Sequence, residues 1–211
     1  MTKTKPPPAM SESPPLSPSA LQLTPHPARP CPQVHAVEAE LRWQGAELLL
    51  RYRIHARLAA LCVPAPEPPA PAEGLWRHLC LEAFIGAEEG AGEGEDRYHE
   101  FNFSPSGCWA AFAFSGPRVR DAACPTLAVQ PRVRVEQTED ALTLAAALPR
   151  TALPPLRRAP AWRVGLAAVI ALRQDAPDAA LGYWALAHPA RQPDFHHPAG
   201  WTLRLPPPPA P

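Results

Sequence analysis

Two stretches of this chain concentrate the residue types that can hold a small polar molecule. In the first, Trp76 and Glu82 are followed across a loop by Tyr98, Glu100, Asn102 and Trp109; in the second, Tyr183-Trp184 leads to His188 and then to Pro193-Asp194-Phe195-His196-His197. Carboxylates, amides and phenols exchange hydrogen bonds with hydroxyl groups, and the flat face of a tryptophan covers the C–H side of a sugar ring. On that chemistry Trp76, Trp109 and Trp184 are candidate stacking platforms. Glu82, Tyr98, Glu100 and Asn102 are candidate hydrogen-bonding groups, and His188, Asp194 and His196 would shape a neighbouring loop. The plainer reading of the same residues is that the tryptophans fill a core and the glutamates face water.

Other chemistries have weaker support. His188, Asp194, His196 and His197 are types that Zn²⁺ accepts, but their spacing fits no familiar metal site. Prolines 189, 193 and 198 point instead to a rigid loop whose aspartate and histidines bond backbone groups. A metal-dependent hydrolase built on this loop is therefore a minor alternative. Glu82 and Glu100 could be a glycosidase pair, although nothing in the sequence sets their separation. Haem would need axial ligands; both methionines, Met1 and Met10, lie in the N-terminal segment, leaving His78, His99, His188 and His196 without any pair singled out. There is no nucleophile elbow, phosphate-cradling loop or dinucleotide fingerprint. The expectation is a non-enzyme that needs neither cofactor nor metal.

The elements that would position these residues read as strands. Residues 36–43 alternate apolar and polar, Gln44-Gly45 supplies a turn, and 47–55 resume the alternation, predicting a hairpin. Residues 77–85, 97–103 and 108–114 give three more short strands. Arg132–Glu136 and Ala141–Leu148 read as a pair. Residues 162–172 are so continuously apolar that a central strand buried on both faces is expected. Leu181–Ala187 and Gly200–Leu205 close the series at about ten strands, with no amphipathic helix. An all-β antiparallel sandwich follows.

Alternation also sorts the side chains. Leu79, Leu81, Ala83 and Ile85 should face the core and Cys80, Glu82 and Phe84 the opposite side; Tyr98, Glu100 and Asn102 likewise oppose His99, Phe101 and Phe103. If these strands are neighbours, two carboxylates, an amide and a phenol share one face, which Trp109 could join.

The quoted residues resemble the bacterial DOMON-like proteins, a β-sandwich superfamily that also includes the family 9 carbohydrate-binding modules. The shared pattern is L-W-x5-E-x-F at 75–84, Y-x-E-x-N-x-S-P-x-G-x-W at 98–109, and Y-W-A-L-x-H-P followed by P-D-F-H at 183–196. The resemblance implies a jelly-roll-like sandwich whose relatives bind sugars or haem without catalysis of their own. The leading expectation is thus a module binding a sugar or sugar derivative on one sheet face, with haem ligation by histidine as the alternative.

Composition bounds the rest. Twenty acidic and twenty basic residues give no net charge, which argues against nucleic acid or an anionic membrane as partner. Most of the 32 prolines crowd into residues 1–32, 64–71 and 206–211. The expected division is a disordered Pro/Ser-rich tail over 1–33, a sandwich over 34–205 and a proline-rich end over 206–211. Such tails could recruit a partner, with the sandwich as a scaffold. Five widely spaced cysteines and no visible export signal lead to a cytoplasmic expectation.

Overall fold

The computed structural model of the chain describes residues 20–88, 96–156, 160–173 and 181–208. In chain order the strands are β1 Leu21–Pro25, β2 Val34–Gln44, β3 Glu47–Ala56, β4 Cys80–Ala87, β5 Tyr98–Phe103 and β6 Trp109–Gly116. They continue with β7 Val119–Arg120, β8 Arg132–Gln137, β9 Ala141–Pro149, β10 Trp162–Ala171, β11 Leu181–Ala185 and β12 Leu203–Leu205. Helix among the described residues is limited to single 3₁₀ turns such as Leu75–Arg77.

All these strands pair antiparallel, in the order β7-β6-β5-β4-β10-β11-β1-β2-β3-β9-β8, with β12 also on β10. Strand β1 divides the path into two layers, because Leu21–Leu23 pair with β2 whereas Thr24 and Pro25 pair with β11. The inner faces of both layers meet in one core. Leu48, Leu50, Tyr52 and Ile54 of β3 pack in the same cluster as Leu81, Ala83 and Ile85 of β4 and Leu166, Ala168 and Ile170 of β10. This is the expected β-sandwich.

The predicted hairpin is β2–β3, whose two-residue loop is Gly45-Ala46; Gly45 supplies the positive φ of 58° that such a tight turn requires. The pairing of β8 with β9 and the central place of β10, with β4 on one side and β11 and β12 on the other, also match expectation.

The fold begins earlier than the sequence led us to expect. Of the anticipated tail, residues 1–19 lie outside the described residues, but Leu21–Pro25 form β1. Leu23, Cys31 and Val34 are buried, and Gln22 Nε2 donates to Glu38 Oε1 on β2. The prolines at 25, 27 and 30 therefore punctuate a strand end and turns inside the fold. At the other terminus, the Trp43 indole N–H donates to the Pro206 carbonyl, so the fold reaches past 205 as well.

Candidate functional site

Strand β4 is buried on both faces along its whole length, which a sandwich strand with one wet side would not be. Its inner face holds Leu81, Ala83 and Ile85 as expected. Its outer face presents Glu82 and Phe84 beneath a second apolar cluster of Phe84, Tyr98, Phe112, Phe114, Ala167, Ala185 and Trp201, with Trp76 and Phe195 packed against it. Register places the polar residues together. Glu82 stands opposite Asn102 and Phe84 opposite Glu100 on β5, while β6 sets Phe112 opposite Glu100 and Phe114 opposite Tyr98.

The outer face is walled from two sides. The 3₁₀ turn Leu75–Arg77 brings Trp76 edge-on to Phe112, with ring centroids 6.1 Å apart. The segment between β11 and β12 folds back so that Trp201 stacks on Phe84 at 6.2 Å and 15°, donating its indole N–H to the Phe195 carbonyl. Glycine 165 on β10 makes this approach possible, since a Cβ there would overlap the Trp201 ring. Gly165→Ala should therefore cost about 1–3 kcal/mol as an overpacking change, read as a lower midpoint in urea unfolding. An unchanged midpoint would mean that Trp201 is not held against β10.

Between the walls lies a pocket of about 540 Å³, with Glu82, Phe84 and Glu100 on its floor and Trp76, Tyr183 and Phe195 at its sides. Arg118, Arg120 and His196 also line it. Both arginines are already paired at the rim: Arg118 with Asp194 at 2.8 Å, and Arg120 through both terminal nitrogens with Glu73 at 3.0 and 3.1 Å. The Arg120 guanidinium also lies 3.9 Å above the centre of the Phe112 ring.

The floor is less well satisfied. Asn102 Nδ2 donates to Glu100 Oε1 at 2.7 Å, but Glu82 Oε1 and Asn102 Oδ1 are buried and have no partner among the described residues. The Glu82 backbone is fixed from across the core, where the buried Tyr52 hydroxyl donates to its carbonyl oxygen at 2.7 Å. Burial, reinforced by the Glu100 charge, pushes the Glu82 carboxyl well above the ordinary carboxylate range. Glu100 is pushed up to about 7, burial outweighing the Asn102 hydrogen bond and the two arginines.

A hydrogen-bond chain fixes the neighbouring histidine. The Arg118 backbone N–H donates to Tyr98 Oη, which leaves the Tyr98 hydroxyl proton for His196 Nδ1 at 2.7 Å. The ring proton then sits on Nε2, 3.8 Å from Glu100 Oε2. Burial first, and the Arg118 charge second, hold His196 down at about 4, so the ring is neutral at physiological pH.

Of the residues singled out from sequence, Trp76, Glu82, Glu100 and His196 line the pocket. Tyr98, Asn102 and Asp194 support it through the bonds just described. Trp109, Trp184 and His188 do not belong to it. Trp109 pairs with Phe103 on the core side of the sheet, and Trp184 pairs with Ala168 there. In both cases strand parity puts the neighbouring residue, and not the tryptophan, on the outer face. His188 spends its Nε2 on the Thr24 carbonyl and packs edge-on against His26.

The four histidines weighed for haem are dispersed. His196 lines the pocket, His78 lines a different cavity beside Cys62 and Cys108, and His99 bonds the Ala152 carbonyl. Among the described residues no group of three or more His, Cys, Asp or Glu is placed to hold a metal ion. Instead, Asp194 accepts from the His196 backbone N–H and His197 Nδ1 from that of Ala199, the loop-stiffening role that the prolines implied.

Sequence reasoning missed Arg118, Arg120 and Trp201. Arg118 has a positive φ of 60° in the turn after β6, and only the Gly116-Pro117 pair before it signalled that turn. Trp201 was signalled by its counterpart Gly165, a lone glycine inside the most apolar run of the chain.

No protein-family model and no curated protein matches this chain. Solved structures do. A protein from Bacteroides uniformis, provisionally described as carbohydrate-binding, aligns with a TM-score of 0.57 at 16% identity, over 87% of this chain and 83% of that one. A carbohydrate-binding module of family 9 (CBM9) from Caldicellulosiruptor kristjanssonii, solved with cellotriose, gives 0.50 at 8% identity, over 79% of this chain and 72% of its own. The fold is CBM9-like. At these identities the likeness is one of backbone architecture. The floor and walls of the pocket are assembled from the chain's own residues.

Proposed function

We propose that this chain is a non-catalytic carbohydrate-binding module, DOMON-like within the CBM9-like architecture, that takes a sugar residue in the pocket between Trp76 and Phe195. One observation carries the reading: Glu82, at the floor of an aromatic-walled pocket, has a buried carboxyl oxygen, Oε1, with no partner among the described residues. Leaving such groups unpaired costs about 1–3 kcal/mol each, and a ligand rich in hydroxyl donors removes that cost. Trp76, Tyr183 and Phe195 supply the faces against which a pyranose C–H surface packs. The two solved structures of this fold named as sugar-binding add support.

Glu82 and Glu100 rise from adjacent strands on the same face of one sheet. A hydrolytic pair must flank the scissile bond from two sides, so these two suit holding a sugar better than cleaving one. The five unpaired cysteines suit a reducing compartment, and we retain the cytoplasmic reading as part of the proposal.

Calorimetric titration of the full chain with glucose, glucosamine, N-acetylglucosamine and cellotriose tests the reading. At least one should bind saturably, and Trp76→Ala should weaken it tenfold or more while leaving the unfolding midpoint within a few degrees, because Trp76 is only partly buried. Absence of binding by all four sugars would overturn the proposal.

A further inference from the structure

The carboxyl groups around the pocket outnumber the cations. Four carboxylates face it or its rim: Glu82 from β4, Glu100 from β5, Glu73 from the loop before the 3₁₀ turn, and Asp194 from the loop after β11. Two guanidiniums face them from the β6–β7 hairpin, and these are already paired, Arg118 with Asp194 and Arg120 with Glu73. The other titratable groups at the floor are Cys80, Tyr98 and His196. Burial raises the first two above their ordinary values and holds the His196 ring neutral, so none supplies a cation.

Two carboxyl groups are therefore left on the floor without a guanidinium partner of their own, ringed by Trp76, Phe84, Phe114, Tyr183 and Phe195. Glu82 lines the pocket, is 97% withdrawn from solvent, and has no partner for its Oε1 among the described residues. Buried carboxylates and aromatic faces together are what an alkylammonium group seeks, through charge-assisted hydrogen bonds below and cation–π contact at the sides.

Resting on the carbohydrate reading above, we infer that the preferred ligand is an amino sugar with a free primary amine, its ammonium seated between Glu82 and Glu100 of the pocket floor. In the free protein the buried pair retains protons at neutral pH. Seating the ammonium stabilises the carboxylate form, so a carboxyl proton leaves to the buffer as the ligand binds. The sugar ring then packs on Trp76.

The test is calorimetry on the full chain at pH 6.5 in two buffers of different ionisation enthalpy, with glucosamine, N-acetylglucosamine and glucose as probes. Glucosamine should bind at least tenfold more tightly than the other two and release close to one proton, and the doubly substituted Glu82→Gln/Glu100→Gln chain should bind glucosamine no more tightly than glucose and release no proton. Glucose or N-acetylglucosamine binding as tightly as glucosamine would overturn the inference and leave the carbohydrate reading standing. A preference that survives the double substitution would also overturn it. Failure of all three sugars to bind would remove both.

Discussion

Replacing Glu82 and Glu100 together by glutamine should make the free protein more stable at pH 8, by on the order of 3 kcal/mol, and should abolish part of its pH dependence. Each carboxyl group has a folded-state pKa above its unfolded value because burial penalises the charged form. The folded protein then binds more protons than the unfolded chain. Their contribution to stability is complete below about pH 4.5 and is lost as pH rises through about 7 for Glu100, and higher for Glu82.

His196 acts in the opposite sense. Its folded pKa of about 4 lies below the unfolded value, so its contribution is present above pH 6.5 and is lost as pH falls through 4. His99 and His188, both lowered by burial, tilt the same window the same way. Above pH 6.5 the contribution of these three histidines is in place, and up to pH 8 the glutamates dominate. Thermal unfolding midpoints of the unsubstituted chain should fall across that interval, while those of the double variant stay level. At pH 8 the variant should melt roughly 6–12 °C higher, taking about 2–4 °C per kcal/mol for a domain of this size. A variant that melts lower than its parent at pH 8 would show that the floor carboxylates are already compensated in the free protein.

Trp201→Ala should have the largest destabilising effect of any substitution near the pocket, about 3–5 kcal/mol. The indole is 93% buried, stacks on Phe84, lies 4.9 Å from the Tyr98 ring and fills the gap over Gly165 and Gly86. Its N–H to the Phe195 carbonyl ties down the pocket wall together with the Tyr98–His196 and Arg118–Asp194 bonds. Truncation leaves a cavity over β10 and frees the segment after β11. Denaturant unfolding should show the loss in stability, and sugar binding should fall below detection even where the remaining fold is intact. Retention of full affinity would mean that the wall containing Phe195 is not part of the binding surface.

Much of this arrangement could be read from the residues alone, because strand parity is a strong constraint. Once Leu79, Leu81, Ala83 and Ile85 are assigned to the core, Glu82 must face outward, and the same argument fixes Tyr98, Glu100 and Asn102. The same parity governs the tryptophans. Trp109 and Phe112 differ by an odd number of positions, so a straight strand that puts Phe112 beside Glu100 turns Trp109 to the core. Trp184 faces the core in the same way, leaving Tyr183 for the pocket.

Other features depend on tertiary contacts that no local pattern encodes. Leu21 and Leu23 sit among prolines, and only the vacant edge between β2 and β11 makes a strand of them. Arg118 and Arg120 reach the pocket because the hairpin after β6 folds toward Asp194 and Glu73, residues far apart in sequence. Burial of the outer face was the least legible point. A carboxylate on the solvent side of a strand looks ordinary until the returning segment with Phe195 and Trp201 covers it.

The six tryptophans, Trp43, Trp76, Trp109, Trp162, Trp184 and Trp201, allow one direct test of where a sugar binds. Each gives its own indole N–H resonance in a ¹H–¹⁵N correlation spectrum. On saturation of the full chain with glucosamine, the signals of Trp76 and Trp201 should shift, while those of the four tryptophans on the core side of the sandwich stay in place. Shifts confined to Trp109 and Trp184, or a spectrum unmoved by glucosamine, glucose, N-acetylglucosamine and cellotriose alike, would contradict the assignment of this pocket as the carbohydrate site.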